Sequence, residues 1–166
     1  MNPDWTTLAE SLRAELAEYG GLLHLFEEQQ SRLFARDPDG VLRISTDIEA
    51  QVRLLHECRG RREALVAAFA AAHGAPPTAT LRSLLPHVAA DARPLVAALI
   101  GEVNRLIHRV RRLARHNHAL LVRAVESHQD TLRALRPDAF MQTYTAAGRK
   151  AVAATVRPPA ALEAAG

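Results

Sequence analysis

The residues with the widest chemical reach in this chain are eight histidines, one cysteine and an arginine-dense run, HRVRRLARH, at 108–116. Histidine and cysteine invite a metal centre, which needs three or four ligands converging at fixed spacing. No HExxH or ExxH occurs, and Cys58 has no second cysteine to join. His116 and His118 are two apart, so on a helix they point in different directions. The spacing argues for solvated histidines rather than ligands. A phosphorelay bundle would present one reactive histidine; His108 and His116 have the expected exposure, but arginine neighbours alone do not make a phosphoacceptor. No glycine-rich loop follows a strand, no nucleophile sits in an elbow motif, and no carboxylate pair stands out. An enzyme is not expected, and no metal, nucleotide or other cofactor is implied.

The arginine run leaves one chemistry open, the binding of phosphates. Arg105, Arg109, Arg111, Arg112 and Arg115 would carry it, with a steep dependence on salt. Aromatic stacking residues are missing from this stretch, which removes single-strand readout. The alternative is a wet helix face paired partly with acids elsewhere in the chain. The net charge of +3 hides an asymmetry that favours it: residues 1–58 carry a net −6 and residues 59–166 a net +9. Oppositely charged antiparallel helices commonly fix their pairing this way. Lone Cys58 reads as a small buried hydrophobe in a reducing compartment.

The elements that would position these side chains are helical. Trp5, Leu8, Leu12, Leu16, Tyr19, Leu23, Phe26, Leu33 and Phe34 recur mostly every three or four residues, with Asp4 placed to cap. DPDG at 37–40 is expected to end this helix, because Pro38 disfavours helix at Asp37 and Gly40 tolerates positive φ. A second helix is expected from Val41 or Thr46 to His73, capped by Ser45 or Thr46 with Glu49 in its first turn. Arg59, Arg61 and Arg62 interrupt its apolar stripe, which predicts a change of packing partner there. GAPPT at 74–78 breaks the chain, and TLRSLLPHV predicts a short helix with Thr80 as cap and Leu81, Leu84 and Leu85 buried.

The longest helix is expected from about Val88 to Leu135, with Pro94 near its start. At about 1.5 Å per residue it would run roughly 65 Å, too long for a compact globule of this chain length. After Pro137 the periodicity fades into Ala, Thr, Pro and Gly. The expected architecture is therefore all-α: an elongated antiparallel helical bundle or coiled coil of about three long helices plus one short helix. Residues 1–137 would form this helical domain and 138–166 a flexible C-terminal tail. No signal-peptide pattern opens the chain and no stretch reaches about 18 apolar residues, so a cytoplasmic protein is expected.

Within the long helix, Leu99, Val103, Leu106, Val110, Leu113, Asn117, Leu120 and Ala124 alternate in fours and threes, the coiled-coil pattern. A second stripe, Ile100, Ile107, Ala114, Leu121, Val125, Leu132 and Leu135, widens the face beyond a two-helix seam. Such a face can cover its own bundle and still receive a foreign helix. Asn117 in the seam either fixes register and orientation at some expense in stability, or caps and hydrates a wide core.

These residues carry a resemblance. LARHNHALLVRAVESHQDTLRALRP, followed by YTAAG, resembles the C-terminal region of the FlgN-type flagellar export chaperones. That family has a long helix carrying a leucine/asparagine pattern that ends N-x-x-L-L, then an S/Q-containing turn, L-x-x-L-x-P, and a tail with Tyr near a Gly. Here those features are Asn117, Leu120, Leu121, Leu132, Leu135, Pro137, Tyr144 and Gly148. The resemblance spans about residues 5–148; the chain departs from the family pattern at Ala114, Thr145 and Ala147. It implies a cytoplasmic chaperone of type III secretion that binds the C-terminal helical segments of hook–filament junction (hook-associated) proteins. Such a chaperone prevents premature assembly and delivers these clients to the export gate, needing no nucleotide or metal.

Client contact is then expected at Leu99, Val103, Leu106, Val110, Leu113, Asn117, Leu120 and Leu121, and gate docking at Tyr144 and Gly148. The implied partners are hook-associated proteins and the export gate, with self-association when client-free, no nucleic acid and no stable membrane insertion. The alternatives are an Arg-rich helical nucleic-acid-associated protein and a structural coiled-coil adaptor.

Overall fold

The computed structural model of the chain describes residues 4–135 and the backbone of residues 142–144 and 150–152. Three helices make up most of it: α1 (Trp5–Phe34), α2 (Pro38–Ala72) and α3 (Arg93–Leu135). Two further strands, β1 (Gln142–Tyr144) and β2 (Lys150–Val152), pair antiparallel with Gln142 opposite Val152. Packing divides the chain into two compact units, Met1–Leu120 and Leu121–Gly166. The expected tail boundary at Pro137, and Gly148 beyond it, lie outside the described residues.

The helix ends follow from local hydrogen bonding. Asp4 caps α1, its carboxylate accepting from the Trp5 N–H at 2.6 Å and from the Thr6 hydroxyl at 2.9 Å. At the other end the Arg36 N–H donates to the Leu33 carbonyl and the Asp37 N–H to the Arg32 carbonyl. This pair of bonds needs a residue in the left-handed region, and Arg36 adopts it with φ 53°. α2 ends on the same motif, with Gly74 at φ 67° in the equivalent place and Ala75 reaching back to Ala70.

DPDG does more than break α1. Asp37 is the cap of α2, accepting from the Gly40 N–H at 2.9 Å, and Pro38 occupies the first turn, where its missing N–H leaves no bond unmade. Gly40 is needed for close approach rather than for positive φ: an added Cβ would collide with the Asp37 carboxylate and the Arg32 side chain. The Gly40 N–H, and after it Arg32, hold the Asp37 carboxyl below its ordinary value. Ser45 and Thr46 therefore lie inside the helix, bonding back to the carbonyls of Val41 and Leu42, and do not cap it.

The expected short helix is a series of turns with only a 3-10 turn at Leu85–His87. Thr80 does cap it, accepting from the Ser83 N–H at 3.2 Å, and Leu84 is buried, but Leu81 and Leu85 are only half-buried. Arg93 closes this segment by donating to the carbonyls of Val88 and Pro86 at 2.8 and 2.7 Å. α3 consequently starts at Arg93 rather than Val88.

The core belongs to the first unit. Leu8, Leu12, Tyr19 and Leu22 from α1 meet Ile44, Ile48, Leu55 and Phe69 from α2, with Leu84 and Val88 from the connection. α2 runs antiparallel to α1, since Gln29 meets Ser45 and Glu15 meets Arg62. α3 runs parallel to α1: Val103 lies near Leu12, Leu113 near Leu23, and Asn117 at Gln29. The first unit is an up-down-up three-helix bundle.

Candidate functional site

α3 buries one residue in seven. Val96, Val103, Val110 and Asn117 are its only buried side chains among the described residues. Leu99, Ile100, Leu106, Ile107 and Leu113 flank that line and remain partly exposed while packing against the core. Leu120 and Leu121 are likewise half-buried. Of the expected client contacts, Val103, Val110 and Asn117 thus face this chain's own core instead, because α1 and α2 already cover that line. Leu99, Leu106, Leu113, Leu120 and Leu121 keep apolar surface in reach of another molecule.

From Val122 to Leu135 every residue of α3 is exposed. Val122, Val125, Leu132 and Leu135 are 41%, 53%, 52% and 73% exposed. Single exposed apolar residues are ordinary, but four on three and a half turns of one helix form a stripe.

The seam amide has partners inside the chain. Asn117 is 1% exposed, and its Nδ2 donates to the Phe26 carbonyl at 2.7 Å and to Gln29 Oε1 at 3.0 Å. Gln29 Nε2 donates in turn to Ser45 Oγ at 3.2 Å, and Ser45 Oγ donates to the Val41 carbonyl at 2.8 Å. One polar chain therefore crosses α3, α1 and α2 at a single level. Asn117 Oδ1 is buried without a hydrogen-bond partner. Burying an amide unpartnered costs more than a bond gains, so a shift of α3 that broke the two Nδ2 bonds would be penalised. Asn117 thus ties α3 to α1 at the level of Phe26 and Gln29.

A second polar contact explains the arginines that interrupt α2. Glu15 is fully buried on α1, with Arg62 Nε at 2.6 Å and Arg59 Nε at 4.0 Å. The Arg62 contact is close but its angle is poor for a hydrogen bond, so attraction between charges, not a directed bond, holds it. These residues, with Leu81, Arg82, Ile100, Val103 and Asn104, border a half-open cavity of about 250 Å³. Tyr19 lies beside them. Burial raises its hydroxyl pKa above the ordinary value, and Glu15 adds to this while Arg59, Arg111 and Arg62 oppose it.

The remaining arginines are less engaged than the charge asymmetry suggests. Acidic and basic halves meet at Glu15 with Arg59 and Arg62, and at Glu27 with Arg109 at 3.9 Å. Arg105 pairs with Glu102 one turn away on α3 itself. Among the described residues Arg111, Arg112 and Arg115 make no ion pair. No three His, Cys, Asp or Glu side chains gather among the described residues in a way that could hold a metal. No described helix is long and apolar enough to cross a membrane.

A family model described as FlgN protein matches residues 1–151, nearly the whole chain and all three helices. The chain belongs to the FlgN family. Neither a curated protein nor a solved structure matches it. FlgN proteins are flagellar export chaperones, so the α3 surface of this FlgN-family chain is read as that of a chaperone. The family is not known for enzymatic activity. The sequence pattern named Leu120, Leu121, Leu132 and Leu135, and these do lie on the exposed or half-exposed side of α3. It did not name Gln29 or Glu15, and it gave Ser45 only as a cap and Arg62 only as a break in the α2 stripe, because their partners are remote in sequence.

Proposed function

We propose that this FlgN-family chain binds the C-terminal helical segments of hook-associated flagellar proteins along α3. The observation that carries this reading is the run of exposed apolar residues Val122, Val125, Leu132 and Leu135, continuous in sequence with half-buried Leu120 and Leu121. An amphipathic client segment has an apolar stripe that needs a helical partner until it is assembled, and a helix-on-helix contact supplies one. The chaperone keeps that stripe covered, prevents premature assembly and carries the client to the type III export gate in the cytoplasm. The segment containing Tyr144 and Gly148 makes the gate contact.

Calorimetric titration with a peptide from the C-terminus of a hook-associated protein tests this. Replacing Leu132 and Leu135 by Ala should weaken client binding at least tenfold and leave the melting temperature within a degree or two, since both are already exposed. Replacing Val103 and Val110 by Ala should lower the melting temperature instead, with each core truncation costing about 1–3 kcal/mol. Undiminished client binding by the Leu132/Leu135 variant would refute this assignment.

A further inference from the structure

We propose that the outer face of α3 between Arg105 and His116 docks on an anionic lipid bilayer, peripherally and independently of the client. Arg105, His108, Arg109, Arg112, Arg115 and His116 follow one another at spacings of one or three residues. At 100° per residue they fall within an arc of about 120°, opposite the buried line of Val103 and Val110. All six are exposed, and no acid occurs between positions 103 and 125 of this helix. The acidic segment of the chain does not neutralise them: Arg109 alone reaches α1, at 3.9 Å from Glu27, and Arg112 and Arg115 have no ion partner among the described residues. Arg105 pairs with Glu102 on α3 itself, so Arg112 and Arg115, with the loosely held Arg109 beside them, are the guanidinium groups left to meet a flat sheet of phosphate charge.

Geometry favours the bilayer over a nucleic acid. The major groove is about 12 Å wide and a helix with its side chains about 10–12 Å across, so groove binding encloses a helix on two sides. One groove wall would then fall where α1 packs on α3 and presents Glu27 and Gln30 beside Arg109 and Arg112. A planar surface touches only the outer arc and keeps the acidic helices away from the phosphates. Each arginine near an anionic leaflet contributes about a fivefold gain in affinity. Attraction of this kind falls away as the screening length drops from about 8 Å at 0.15 M salt to about 3 Å at 1 M.

Full-length protein should sediment with vesicles of phosphatidylcholine and phosphatidylglycerol at low salt, and not with phosphatidylcholine alone. Binding should disappear in 1 M salt. The Arg112→Glu/Arg115→Glu variant should lose on the order of a hundredfold in vesicle affinity, two favourable charges being replaced by two repulsive ones. Arg53→Glu/Arg61→Glu, which makes the same change in net charge on exposed positions of α2, should lose tenfold or less. All variants should melt with the parent, because these side chains are exposed. Equal binding to neutral vesicles, or equal losses for the two double variants, would overturn the proposal. So would displacement from vesicles by duplex DNA or polyglutamate at an equal concentration of charge, which assigns the face to another anionic partner.

Discussion

Asn117 shows how much one side chain in a helix seam can decide. Its two donated bonds end on Phe26 and Gln29, and Gln29 passes the contact on to Ser45. Asn117→Ala should cost about 2–3 kcal/mol, because it also strands Gln29 Oε1 in the core. Replacing Asn117 and Gln29 together by Leu should recover much of that loss, since removing both partners of a buried bond is nearly neutral. Urea unfolding of Asn117→Leu, Gln29→Leu and the variant carrying both measures the coupling. Strictly additive losses would show that the amides do not act as a pair. The sequence revealed that an amide stood in the apolar seam and left open whether it set register or merely capped a core. Its partner could not be read, because Gln29 is 88 positions away and belongs to no pattern that points toward α3.

Helices were the most legible elements, and for a simple reason. Apolar residues three and four apart report burial on one face whatever the partner is, so α1 and the long run of α3 followed from spacing. Starts were harder where one motif had two readings. Asp-Pro-Asp-Gly breaks α1 and begins α2 with the same four residues, since a proline hostile to the end of one helix suits the first turn of the next. The arginines of α2 marked a change of partner, but only packing showed a buried acid waiting for them. Arg62→Ala should destabilise the protein by about 3 kcal/mol, because it leaves the Glu15 carboxylate buried without its counter-charge. Adding Glu15→Gln to that variant should restore part of the loss in thermal or urea unfolding. A double variant less stable than Arg62→Ala would mean that Glu15 is held by groups other than Arg62.

For the whole molecule, the proposed function gives folding and delivery to different stretches of chain. Every buried residue of the core cluster lies between Leu8 and Val110, within the unit Met1–Leu120. A chain ended at Pro137 should therefore keep its melting temperature and its client complex while losing capture by the export gate in a pull-down. Unfolding of the shortened chain would place a structural role in the last 29 residues. The family match itself covers both stretches, running from residue 1 to 151. α3 links them, and its buried line has a consequence of phase. Val96, Val103, Val110 and Asn117 advance by sevens, yet the next two places in that count hold Ala124 and Thr131, both exposed. The apolar residues that continue, Leu121, Val125, Leu132 and Leu135, occupy other places in the seven. Counted at 100° per residue, eighteen residues make five turns, so Leu121, Leu132 and Leu135 repeat the azimuths of Val103, Val96 and Asn117. A visiting helix on this later stretch would therefore meet the same side of the helical wheel that the bundle buries earlier in α3.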